Sequence, residues 1–236
     1  MPPEPTPVTR VESLDDPRTI TLLTTEHWSL LSARALAYNE AFVRAGMFLT
    51  FLSMSFVALA LVAQAMSFNR EFLTIAALVL AFDFVVGLTT FGRINGANLD
   101  DLRANHGMAR IRHAYTQINP DLARYFISPT HDDIPSVLTV YGPISPSLPG
   151  QLAYGLTTSN GMIGLIVAMV GGVLAAVVGL LAGAAGGAAI WIGVALGVAV
   201  FVALVAYNAS TISRVQATYP VLFPAPAPGT TPGEKG

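Results

Sequence analysis

Residues 161–206 contain no charged or amide side chain, and that run limits the fold more than any other feature. As one straight helix at 1.5 Å per residue it would extend about 69 Å. That is more than twice the roughly 30 Å hydrocarbon core of a bilayer. The run must therefore fold back. The GAAGG stretch at 183–187 is the natural place, which predicts helices over about 162–182 and 188–207, a Gly/Ala-rich transmembrane hairpin within 161–207. Two further apolar runs, 47–66 and 72–91, are each long enough to cross once, and the short polar SFNRE between them permits only an antiparallel pair.

The expected fold is thus all-α: a polytopic membrane protein with four transmembrane helices arranged as two hairpins. Only 11% of the 236 residues are charged and 53% are hydrophobic, whereas soluble domains carry about 25% charged residues. A net charge of −2 provides no broad basic field for nucleic acid, and the absence of cysteine excludes disulfides and thiolate chemistry. The basic residues set an orientation. Arg34, Arg44, Arg93, Arg103, Arg110, Arg112, Arg124 and Arg214 fall on one side of four spans, and Arg70 alone on the other. The positive-inside rule then places both termini and the segment between the hairpins in the cytoplasm, in a multi-pass protein of the inner (plasma) membrane.

The polar stretches have their own organisation. Residues 1–24 and 208–236 read as disordered, the first Pro-rich and acidic, the second Pro/Gly/Thr-rich. Residues 25–126 read as a helical hairpin whose spans continue into a cytoplasmic stalk. Trp28, Leu31, Ala35, Tyr38, Phe42, Ala45 and Leu49 recur at steps of three and four, as do Ala104, Met108, Ile111, Tyr115, Ile118 and Leu122. A turn near Asn69 pairs residues whose numbers sum to about 138 in an αα-hairpin, which sets Trp28 level with Arg110 and lets each stripe bury the other. Residues 127–160, with SPTHDDIP and YGPISPSLPG, read as an irregular cytoplasmic linker.

Few residues carry chemistry. Asp83 lies near the middle of the second span, where a carboxylate costs about 2.5–3.5 kcal/mol to insert and therefore needs protein or water around it. The hairpin register brings Ser55 level with it and Ser53 close by. This intramembrane polar site reads either as a proton or cation site or as a hydrogen-bonded acid that pins helix packing. Gly179, Gly183, Gly193 and Gly197 are spaced so that helices can approach closely, within one chain or between copies. Arg103, His106, Arg110 and His113 form a polar ridge opposite the apolar stripe of the second stalk helix, either a solvated face or a contact for an anion or partner. The adjacent His131, Asp132 and Asp133 cannot converge on one ion unaided, so no metal is expected. No phosphate loop, nucleophile elbow or HExxH motif is present. The expectation is a non-enzyme without cofactor.

The strings EAFVRAGMFLTFLSMSFVALALVAQAM and GMARIRHAY…NPDLARYFISPTHDD resemble a group of bacterial four-helix integral membrane proteins of no known activity, over residues 28–135. The resemblance implies a shared membrane fold and no cofactor or site. A fainter architectural likeness links the helix–two-span–helix arrangement to membrane effectors found beside bacterial nucleotide-signalling systems. The function expected from these features is an accessory or scaffold protein, at home in the lipid bilayer, that assembles as a homo-oligomer or as a subunit of a larger membrane complex. The alternative is a homo-oligomeric ion channel or transporter using Asp83.

Overall fold

A computed structural model describes residue 14, residues 16–142 and residues 147–226. Among these the chain is all-helical: α1 (Pro17–Met66), α2 (Arg70–Ile118), α3 (Ile134–Leu138), α4 (Leu148–Thr157), α5 (Ser159–Leu181) and α6 (Gly186–Thr218), with short 3-10 turns at Pro120–Tyr125 and Thr139–Tyr141. Four of them, α1, α2, α5 and α6, are long and apolar enough to cross a membrane.

The helices extend further into the polar stretches than composition suggests. α1 begins at Pro17, inside the 1–24 stretch expected to be disordered. Its hydroxyls explain this: Thr21, Thr24 and Thr25 donate to the carbonyls of Pro17, Ile20 and Thr21 at 2.8 Å, so their polar groups are absorbed by the helix. α6 likewise runs to Thr218, well into 208–236, with Thr211, Ser213 and Thr218 bonded back to the carbonyls one turn earlier. The remaining parts of those two expectations, 1–13, 15 and 227–236, lie outside the described residues. The 127–160 segment is not bare loop either. It holds α3, capped by Asp133, and α4, capped by Ser147, each with a proline in its first turn.

The chain divides into two compact units. Among the described residues, one comprises 14, 16–34, 101–142 and 219–226. Here Thr24 meets Tyr115, Leu30 packs over Gly107, and Arg34 pairs with the buried Asp101. Asp101 also accepts from the Tyr141 hydroxyl at 2.6 Å, and Asn105 donates to that hydroxyl at 2.9 Å, so the segment after α2 is tied to the helix. The other unit comprises residues 35–100 and 144–218. Its core gathers Ala41, Phe48 and Leu52 of α1, Leu80, Phe91 and Ile94 of α2, and Ile163, Val167 and Val170 of α5. Glu40 bonds both Arg93 across the pair and Arg44 one turn along its own helix.

The expected apolar stripe of α1 faces inward only at its membrane end, where Ala45 and Leu49 pack against the core. Trp28 is 62% exposed, and Leu31 and Phe42 are exposed too. The residues turned inward are Leu30, Ala41, Phe48 and Leu52, a face rotated by about one residue, or 100°. Ala37 and Ala45 pack against the core beside Ala41 on this face. Trp28 therefore does not fill the turn between Met108 and Ile111; Leu30 takes the inward place.

Candidate functional site

Asp83 is fully buried in the second unit, and its Oδ1 accepts from the Ser55 hydroxyl at 3.0 Å. The second oxygen, Oδ2, is buried without a hydrogen-bond partner. Ser53 takes no part. It is exposed and donates to the Leu49 carbonyl of its own helix at 2.8 Å. Two cavities lie in this unit. One, of about 550 Å³, is lined by α5 and α6 residues such as Met169, Val173 and Phe201. The other, of about 290 Å³, is lined by Phe91, Thr158, Asn160, Leu204 and Asn208 among others. Asp83 borders neither. In that smaller cavity the Asn160 amide donates to Asn208 at 3.2 Å and, at 3.5 Å, to Asn95, so α2, α5 and α6 are joined by side-chain amides. This amide cluster was not legible in the sequence, where each asparagine stands alone.

The arrangement around Asp83 makes a tie between α1 and α2, and it sets an expectation. Asp83→Asn keeps an acceptor for Ser55 and should melt in detergent close to the wild type. Asp83→Leu removes it and should cost on the order of 1 kcal/mol, the usual size of a hydrogen bond between membrane helices. A leucine variant as stable as the wild type would show that the tie contributes nothing. If instead Asn leaves stability intact but abolishes a proton- or cation-dependent flux, Asp83 is a transport group.

The glycines divide by role. A Cβ on Gly193 would lie 2.7 Å from the Gly172 carbonyl oxygen, and one on Gly197 would lie 3.1 Å from the Ala168 carbonyl oxygen. These two, with Gly172, are where α5 and α6 of one chain come into backbone contact. Gly179 faces Ala189 at ordinary contact distance. Gly183 is not a packing residue. It has φ +91 with nothing near its missing Cβ, and it ends α5 in a Schellman motif, with Ala184 N–H donating to the Gly179 carbonyl and Gly183 N–H to that of Leu180.

The polar ridge is the richest site, and apart from Arg103 it is not a solvated face. His106 is buried, and its Nδ1 lies 3.0 Å from the Asp132 carbonyl. A carbonyl can only accept, so that nitrogen carries the proton. Arg110 donates from Nε to Asp132 Oδ2 at 2.8 Å and from a terminal nitrogen to the Pro220 carbonyl at 2.6 Å. His113 stacks on Phe223 with ring centroids 4.2 Å apart and planes 19° from parallel. Arg103 remains exposed. The ridge thus holds two segments of its own chain, the stretch at 129–133 and the strap at 220–225.

Asp132 joins them. It is fully buried, and its carboxylate accepts the N–H groups of Leu222, at 3.0 and 3.1 Å, and of Phe223, at 2.7 Å. Its own N–H donates to the Phe223 carbonyl at 3.1 Å. Asp133 Oδ1 accepts from Ala225 at 3.0 Å. Burial alone would raise the Asp132 carboxyl. The two backbone amides and the Arg110 guanidinium outweigh that and hold it below the usual carboxylate range. Nothing local in HDDIP marks Asp132, because its side-chain partner Arg110 lies 22 residues away and the strap amides some ninety. No family model, curated protein or solved structure matches the chain.

Proposed function

We propose that this chain is a multi-spanning membrane scaffold or accessory subunit that assembles with itself or with a larger membrane complex, its termini on the cytoplasmic side. The observation that carries the reading is the outward apolar face of α1 at Trp28 and Leu31. In a helix, Trp28 stands about 28 Å before position 47, where the apolar run begins, while the headgroup layer adds only about 5–8 Å beyond the hydrocarbon. Lipid does not reach an indole so placed, and apolar residues exposed together on one helix face, as Trp28 and Leu31 are, suit a contact with protein. Asp83, tied to Ser55 and bordering neither cavity, favours this reading over a conduit. The Arg distribution and the resemblance of residues 28–135 to bacterial membrane proteins support the location.

The chain has no cysteine, so one introduced at a time reports cleanly. Trp28→Cys should resist an impermeant thiol reagent in intact cells while Asn69→Cys labels. In permeabilised cells Trp28→Cys should label slowly, and about tenfold faster after the assembly is dispersed in harsh detergent, as expected when a protein face is uncovered. Labelling of position 28 from outside overturns the orientation. Equal rates before and after dispersal overturn the assembly.

A further inference from the structure

We infer that the ridge of α2, with Asp132 and Asp133, is a peptide-recognition seat, occupied by the chain's own strap and open to a partner segment of the same chemistry: uncharged, proline-flanked, and bent at a central aromatic residue. The inference goes beyond the scaffold reading and does not depend on it.

The contacts have the character of peptide recognition. The N–H groups of Leu222, Phe223 and Ala225 and the carbonyls of Pro220 and Phe223 are all engaged by the seat. Main-chain bonds of this kind give affinity to any segment that can take the same bend, and selectivity comes from the side-chain contacts. Here the ring of Phe223 lies flat on His113. Outward, Leu222 is 54% exposed and Val221 is also exposed, so the strap lies over the seat and does not form part of a core. Pro220, Pro224 and Pro226 restrict the backbone on either side of the bend at Leu222 and Phe223, and a segment so restricted loses less entropy on docking.

The seat is built in advance. His106 fixes the Asp132 carbonyl from beneath, and Asp133 caps α3 through Ser136 N–H. The two carboxylates are thereby held with acceptor oxygens toward the strap. Carboxylates facing the strap select N–H groups and reject acidic segments, and residues 219–226 carry no charge. A covalently linked strap competes at an effective concentration of about a millimolar, so a partner segment binds the intact chain only weakly and gains the seat when the strap is released.

The test uses the full-length chain in detergent. Leu222→Pro with Phe223→Asp removes one of the N–H donors to Asp132 and sets a carboxylate beside it, which opens the strap. Opening is read as lost hydrogen-exchange protection at Ala225, with helicity unchanged. A fluorescein-labelled peptide of residues 219–226 should bind this variant saturably, about tenfold more tightly than it binds the wild type because the linked competitor is gone. The same peptide with Asp in place of Phe should not bind. Absence of saturable binding to the opened variant up to about a millimolar, the concentration the linked strap itself supplies, overturns the proposal. So does equal binding of the two peptides.

Discussion

Arg110→Ala should release the strap at 220–225 and cost about 3–5 kcal/mol, the usual penalty for leaving one partner of a buried ion pair uncompensated. The lower end is expected, because Asp132 keeps the N–H groups of Leu222 and Phe223 and the Arg110 side chain is 28% exposed. Hydrogen exchange at residues 222, 223 and 225 is the direct measurement. Unchanged protection in the alanine variant would mean that Arg110 does not hold Asp132 in place. The same amides respond to acid in a defined direction. A carboxyl held below its ordinary value contributes its full stabilisation above the unfolded value of about 3.9, and loses it as the pH falls through the lower folded value. Protection factors should therefore be flat from neutral pH to about pH 4 and fall below that. Loss already between pH 7 and pH 5 would show that another group anchors the strap.

Gly193→Leu should be strongly destabilising to the second unit. Even the first added carbon would sit 2.7 Å from the Gly172 carbonyl oxygen and 3.0 Å from the Ala176 side chain. The first obstacle is backbone, so α5 and α6 must separate. Overpacking of this kind costs about 1–3 kcal/mol and occasionally more. Gly186→Ala is the matched control. It has nothing within 4 Å of the new carbon and should melt within about 1 kcal/mol of the wild type. The comparison is a pair of thermal unfolding curves in the same detergent. Equal midpoints for Gly193→Leu and Gly186→Ala would refute close contact between α5 and α6 at this level. Packing inside one chain accounts for Gly172, Gly193 and Gly197, and assembly has to be sought on other faces.

What the linear pattern determined was the number of apolar helices and the pairing level of the first two. Lengths of apolar sequence count crossings because the bilayer has a set thickness. Pairing level follows from the position of a short turn, and the observed pairs agree: Ser55 meets Asp83, Thr24 meets Tyr115 and Leu30 meets Gly107, each with numbers summing to within one of 138. Which face of α1 turned inward was decided only by tertiary packing. Periodicity marks a stripe of large apolar residues, but in a lipid-facing or partner-facing helix both faces are apolar, and the core took Ala41, Phe48 and Leu52, with Ala45 and Leu49 at its edge, and left Trp28 and Phe42 outside. The reach of α1 and α6 into polar sequence was hidden for a similar reason, since hydroxyls bonded to their own helix no longer act as loop residues. The strap and its seat were beyond reach altogether. Asp132 and Phe223 come together through chain closure over some ninety residues, and no local pattern encodes a contact whose two halves are each unremarkable until the fold joins them.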